Sequence, residues 1–158
     1  MEKDLLKLPE FIFEEYPREK YTFNVPHDDD LLFSENETWA YIKDGRAIVG
    51  VTDWAQRIMG DLLYFTPPEV GAEIEQFASL GELESGKAVL EMASPLSGKV
   101  IAVNEAVVDA PELVTEEPFG KGWICQLQLT DLEGERDMLL DFEEYFPLMK
   151  RKADDYNG

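Results

Sequence analysis

Gly81-Glu-Leu-Glu-Ser-Gly-Lys-Ala-Val-Leu-Glu-Met-Ala-Ser-Pro-Leu-Ser-Gly98 is the stretch on which the fold turns. A strand-like run ending at Leu83 and a second from Ala88 to Ala93 flank Ser85-Gly86, two residue types that turns favour. Lys87 is therefore expected at the tip of a hairpin. A lysine that carries a covalent group needs such a place, because a modifying enzyme must reach the ammonium and the modified arm must then sweep between active sites. Acylation would also remove its charge. An ordinary surface lysine on a hairpin fits the same pattern, so spacing alone leaves both readings open.

Outward from this turn, short runs of β-branched and aromatic residues recur. Trp39-Ala-Tyr-Ile and Ala47-Ile-Val-Gly-Val are separated by Asp44-Gly45, a hairpin signal. Further strand-like segments lie at Leu62-Phe65, Glu75-Leu83, Ala88-Ala93, Gly98-Val103 and Trp123-Leu129, with Gly, Pro or Asn at the joints. Several short strands of this kind predict an antiparallel sandwich or barrel.

Helices are few and short. Asp53-Trp-Ala-Gln-Arg-Ile-Met-Gly60 offers a capping box from Asp53 to Gln56 and a terminal glycine. Asp109 to Thr115 predicts another, capped by Asp109 with Glu112 three residues on. From Asp131 the pattern is helical, with Leu132, Leu139 and Leu140 on one face, and Asp141 with Glu144 forms a further box. Pro147 is expected to cut that last helix short, leaving the polar tail frayed. Before residue 24, Pro9 and Pro17 interrupt the apolar groups, which predicts a short helix and an irregular arm.

The 158 residues amount to one ordinary domain, with 44% hydrophobic and 30% charged side chains. Thirty-four acidic against 14 basic residues give a formal net charge of −20. Such a surface repels phosphate backbones and anionic lipid, which argues against nucleic acid or a membrane as partner, and favours proteins with basic patches. The lone Cys125 cannot form an internal disulfide, and no apolar run approaches the length of a membrane span. Met1-Glu2-Lys3-Asp4 resembles neither a secretory signal nor a transit peptide, so the cytoplasm is the expected compartment.

Catalytic patterns do not stand out. There is no phosphate-cradling glycine loop, Cys or His cluster, or Gly-x-Ser-x-Gly elbow. The single histidine, His27, precedes three aspartates and is expected in a solvated turn. Glu116-Glu117, Glu143-Glu144 and Asp154-Asp155 are expected on solvated faces, and Cys125 in a strand as core filler.

The words Val49-Gly-Val-Thr-Asp-Trp-Ala55, Gly60-Asp-Leu-Leu-Tyr-Phe65, Pro68-Glu-Val-Gly71, Glu84-Ser-Gly-Lys-Ala88, Ser94-Pro-Leu-Ser-Gly98, Val103-Asn-Glu-Ala106, Pro111-Glu-Leu-Val114 and Pro118-Phe-Gly-Lys-Gly-Trp123 follow one another in a spacing that resembles the glycine cleavage H-protein family. The resemblance runs from about Asn24 to Met149. It implies a mainly β, barrel-sandwich hybrid of two small antiparallel sheets, with short peripheral and C-terminal helices. It also implies lipoate in amide linkage on Lys87, with Glu84, Ser85, Gly86 and Ala88 forming the attachment turn. The implied partners are a lipoate ligase or lipoyltransferase, glycine decarboxylase, aminomethyltransferase and dihydrolipoyl dehydrogenase. The carrier shuttles an aminomethyl group among them and catalyses no step itself. Domain boundaries follow: an N-terminal extension over 1–23, the carrier domain over 24–150 and a polar tail over 151–158.

The sequence departs from the family in three places. Gly86 stands where the family commonly has valine, Glu37-Thr38-Trp39 stands where it has His-Glu-Trp, and the N-terminal extension lies outside its pattern. A Glu-Ser-Gly-Lys turn also resembles the lipoate-binding branch that works with heterodisulfide-reductase-like sulfur-oxidising complexes, where the arm would carry sulfur. A lipoyl relay donor would use the same Lys87. A biotin carrier shares the fold, but its lysine normally sits between methionines, whereas Gly86 and Ala88 flank Lys87 here. An unmodified module that only binds a partner complex is the remaining alternative.

Overall fold

The computed structural model describes residues 5–156. The N-terminal four residues, whose lack of signal character was noted above, and Asn157-Gly158 lie outside that range.

The hairpin centred on Asp44-Gly45 forms as its turn residues dictate. β4 (Thr38–Lys43) and β5 (Arg46–Val51) pair from Thr38↔Val51 to Lys43↔Arg46, and the two turn residues take φ of 54° and 74°. Those positive values are what a two-residue turn between right-twisted strands requires. Around this pair grows an antiparallel sheet in the order β3 (Leu31–Phe33), β4, β5, β11 (Cys125–Leu129), β10 (Gly98–Val103), β7 (Glu73–Ile74).

Side chains alternate across this sheet. Ala40, Ala47, Val49, Val51, Val100, Cys125 and Leu127 point to one face and Trp39, Tyr41 and Ile48 to the other. The first face packs against a three-stranded sheet, β6 (Leu62–Thr66), β8 (Ser79–Ser85) and β9 (Val89–Ala93), which contributes Leu62, Phe65, Leu80, Leu83 and Met92 to the same core. Two antiparallel sheets sharing one core make the barrel-sandwich architecture.

The second face is covered too, which explains why β4 and β5 are apolar at nearly every position. A helix, α5 (Phe142–Asp155), lays Tyr145, Met149 and Ala153 into an aromatic cluster with Phe23, Phe33, Trp39 and Phe119. Beside it lies a ribbon absent from the sequence expectation. β1 (Ile12–Arg18) and β2 (Tyr21–His27) form a hairpin where an irregular arm with a short helix was expected. Pro17 does not break it, because β1 pairs only with β2 and its outer edge needs no donor. The expected boundary between extension and domain thus falls within β2. Ahead of the ribbon, Leu6 is clamped by the buried Gln126 amide, which accepts from its N–H and donates to its carbonyl, both at 3.0 Å.

Four more expectations change. The helix α1 (Asp53–Met59) is capped by Thr52, whose hydroxyl accepts from the Ala55 N–H; Asp53 is instead drawn to the Asn24 N–H, Gln56 and Arg57. The predicted strand Glu75-Leu83 is split, since Phe77 takes φ of 69° and only Ser79 onward joins β8. The helix expected from Asp109 is two helices, α2 (Glu105–Asp109) and α3 (Glu112–Glu116), parted by Ala110-Pro111 and without side-chain caps. From Asp131 there is one short turn, α4 (Leu132–Glu135), then a 3-10 turn, and Leu140 pairs with Phe33 as an isolated bridge.

The helix α5 starts with the expected Asp141/Glu144 box but runs through Pro147 to Asp155. Pro147 is exposed, so the carbonyl it frees at Glu143 faces water, while the buried stripe of Tyr145, Met149 and Ala153 holds both sides together. The expected frayed tail is therefore helical almost to its end.

Candidate functional site: the Lys87 turn

β8 and β9 are joined by Gly86, Lys87 and Ala88, with Glu84 opposite Val89 as the last strand pair. Ser85 is buried and roots the turn. Its N–H donates to the Ala88 carbonyl at 2.9 Å, and its Oγ accepts from the Lys87 and Ala88 N–H groups at 3.3 and 3.2 Å. One serine thus binds the Lys87 and Ala88 backbone, leaving the Lys87 side chain exposed.

A Cβ built on Gly86 meets nothing within 4 Å, and its φ is not positive. The turn therefore has room for the valine that the family places there, and its backbone does not demand glycine. Gly81 contrasts with it. With φ of 100° and a Cβ that would fall 2.1 Å from the Thr66 carbonyl oxygen, Gly81 lets β8 press against the end of β6.

All five residues of the expected attachment turn thus sit together. Glu84 and Ala88 are exposed beside Lys87. The outer face of the small sheet continues with Glu82 directly across from Glu91 and with Tyr64 beside Glu84. Like charges placed opposite each other cost stability. A bulge between Leu62 and Tyr64 turns Leu63 outward as well, so Leu63, Tyr64 and Val89 form an exposed apolar rim below the acidic residues.

Residues outside the expected site also reach the turn. The Lys87 ammonium donates to the Tyr156 hydroxyl at 3.4 Å, and the Tyr156 ring meets Trp54 edge to face at 6.3 Å. The Lys152 ammonium lies 5.3 Å from the Trp54 ring centroid and 2.5 Å from Glu37 Oε2. Glu37 is buried, holds φ of 68°, and its Oε1 accepts from Thr52 Oγ at 2.6 Å and from the Tyr145 hydroxyl. Burial first, and the facing Glu37 carboxylate second, push the Tyr145 phenol well above its ordinary pKa. The only sequence sign of this network was Glu37 standing where the family has histidine.

His27 lies away from the turn, its ring 3.6 Å from that of Phe142 and its Nε2 3.3 Å from Glu14. Cys125 is fully buried, and burial pushes its thiol up to about 12. A cleft of about 940 Å³ opens under the N-terminal arm between Phe11, Phe119 and Arg57, and no residue from Glu84 to Ala88 lines it. No helix among the described residues is long and apolar enough to cross a membrane.

Comparison with known proteins supplies a second, independent line. The family model described as glycine cleavage H-protein matches residues 31–152. Similar chains include the glycine cleavage system H protein of Carboxydothermus hydrogenoformans, 39% identical over 125 residues, which span 79% of this chain and 95% of that one. The H protein of Alcanivorax borkumensis is 44% identical over 116 residues, 73% of this chain and 90% of its own. Pyrococcus abyssi has a protein named as a probable H protein, 42% identical over 123 residues, covering 77% and 91% of the two chains. Among solved structures, a glycine cleavage system H protein from Mycobacterium marinum superposes with a TM-score of 0.70 at 33% identity, over 77% of this chain and 97% of that chain.

Proposed function

We propose that this chain, which belongs to the glycine cleavage H-protein family, carries lipoate in amide linkage on Lys87 and serves the glycine cleavage system as its mobile carrier. The observation that carries this reading is the Lys87 turn itself: an exposed lysine on a tip whose Lys87 and Ala88 N–H groups are held by one buried serine and whose neighbour Gly86 has open space around it. A modifying enzyme can close over such a tip without displacing any packed group.

Lipoate, when bound, supplies a dithiolane that takes up and releases the aminomethyl group and cycles between disulfide and dithiol. The chain's residues do the rest. Ser85 ties down the Lys87 and Ala88 N–H groups at the root of the arm. The acidic rim of Glu82, Glu84 and Glu91 with the apolar Leu63, Tyr64 and Val89 gives partners a face to read, and tethering raises the local concentration of the carried group at each docked enzyme. The partners on this reading are a lipoate ligase or lipoyltransferase, the decarboxylase, the aminomethyltransferase and dihydrolipoyl dehydrogenase. No catalytic step is assigned to this chain.

The matched relatives carry glycine cleavage names, and no observation favours sulfur transfer or a relay role over it. Intact and peptide-level mass spectrometry of protein from its own organism tests the reading. A lipoyl adduct on the Lys87 peptide, lost in Lys87→Arg without change in the urea midpoint, is the expected result. A bare Lys87 in lipoate-replete cells would overturn it.

A further inference from the structure

Tyr156, at the C-terminal cap of α5, reaches the Lys87 turn, and two groups on this helix hold it there. Tyr145 and Lys152 both bind the Glu37 carboxylate, and Lys152 also donates to the Glu35 carbonyl at 3.3 Å. Lys152 lies over Trp54 on α1, and Trp54 in turn backs the Tyr156 ring. The result is an aromatic ledge of Trp54 and Tyr156 at the root of the lysine arm. Trp54 lies within the stretch that matches the family model and Tyr156 beyond it.

The chemistry of the contact fits a loaded lysine as well as a bare one. Acylation removes two of the three ammonium protons and the charge, yet the amide nitrogen keeps one N–H, and a phenol oxygen accepts from either form. A carboxylate in this place would favour the charged ammonium and oppose acylation. The phenol leaves the lysine free to be acylated.

We propose that Tyr156, backed by Trp54, is a positioning residue for the modified arm: its hydroxyl accepts from the amide N–H at Nζ and turns the first part of the arm onto the ledge between α1 and α5. The folded-back arm is then partly shielded from solvent between encounters. This rests on the reading of Lys87 as the attachment site.

The test uses full-length protein lipoylated in vitro by a lipoate ligase, with the adduct on Lys87 verified by mass spectrometry before each assay. The dithiolane is then reduced by a water-soluble phosphine in wild type, Tyr156→Phe and Tyr156→Ala. Both variants are expected to be reduced about two- to five-fold faster, the change that follows from losing one partly exposed hydrogen bond. Tyr156→Phe separates the hydroxyl from the ring, and unchanged melting curves show that the fold is intact. Equal reduction rates on verified adducts would overturn the ledge while leaving the carrier reading standing. Failure to find or form any adduct on Lys87 would overturn both.

Discussion

Tyr145→Phe tests whether the Glu37 network holds α5 to the domain. In the native protein the Tyr145 ring is fully buried, stacked on Phe33 with centroids 4.4 Å apart and planes 9° from parallel, and its hydroxyl donates to Glu37. Phenylalanine keeps the stack and removes only the donor. Glu37 still accepts from Thr52 and Lys152, so no buried charge is stranded. What is lost is one hydrogen bond to a charged acceptor, about 1.5–3 kcal/mol. For a domain of this size that is a fall in Tm of roughly 3–12 °C. Urea unfolding followed by tryptophan fluorescence should show a lower midpoint at unchanged slope, and Glu37→Gln combined with Tyr145→Phe should cost less than the sum of the two.

Alkaline pH gives the same variant a second signature. The folded phenol is held well above its ordinary pKa, by burial and then by Glu37. Its contribution is complete below about pH 10, where the unfolded tyrosine is still protonated. Above that, the unfolded chain releases the proton and the folded one does not, so stability falls as pH rises, by up to about 1.4 kcal/mol per pH unit from this group. Tyr145→Phe should lose that part of the slope. A variant within about 0.5 kcal/mol of wild type at pH 7, with the same alkaline slope, would refute the claim that the phenol–carboxylate contact anchors the helix.

Other substitutions probe the attachment turn and the core. Gly81→Ala should cost more than about 2 kcal/mol, because its Cβ meets the Thr66 carbonyl and its φ is positive; a urea midpoint near wild type would contradict the close β6–β8 approach. Gly86→Ala should instead raise stability by about 0.4–1 kcal/mol, since open space and an ordinary φ leave only the entropy of the unfolded chain to change. Cys125 should resist a thiol-specific aromatic disulfide in the native protein and react fully in urea. Because the buried thiol is pushed up to about 12, it should also take away stability as pH rises from about 8.5, where unfolded cysteine ionises, towards that value.

Local chemistry made part of this legible in the sequence. Asp44-Gly45 specifies its own turn, Ser85-Gly86 marks the Lys87 tip, and the Asp141/Glu144 box marks the start of α5. The errors came where tertiary partners choose among locally equivalent options. Thr52 and Asp53 are both good caps, and Asp53 is drawn aside by Gln56, Arg57 and, across the fold, Asn24. Pro17 and Pro147 look like breakers until an unpaired strand edge and a solvent-facing carbonyl remove their cost. The positive φ of Phe77 has no sequence mark at all. At the candidate site, the hairpin tip bearing Lys87 was legible because its residues are contiguous. The Tyr156 ledge was not, since it joins residues 69 positions apart through a helix whose tail was expected to fray.

On the proposed reading of Lys87 as the attachment site, the order around it suits what a carrier must do. If the tip were loose, backbone motion would add to side-chain motion and dilute the arm over a larger volume, lowering its effective concentration at a docked enzyme. The serine that holds the Lys87 and Ala88 N–H groups, and the glycine that lets β8 press on β6, act against such looseness. The small sheet gives up stability elsewhere. Glu82 faces Glu91 across the ladder, and Leu63, Tyr64 and Val89 stand in water, an arrangement that weakens the free protein and that a basic, partly apolar partner surface would relieve. On the proposed reading, such a face draws in partners of opposite charge and speeds their association, so raising the salt concentration should slow it.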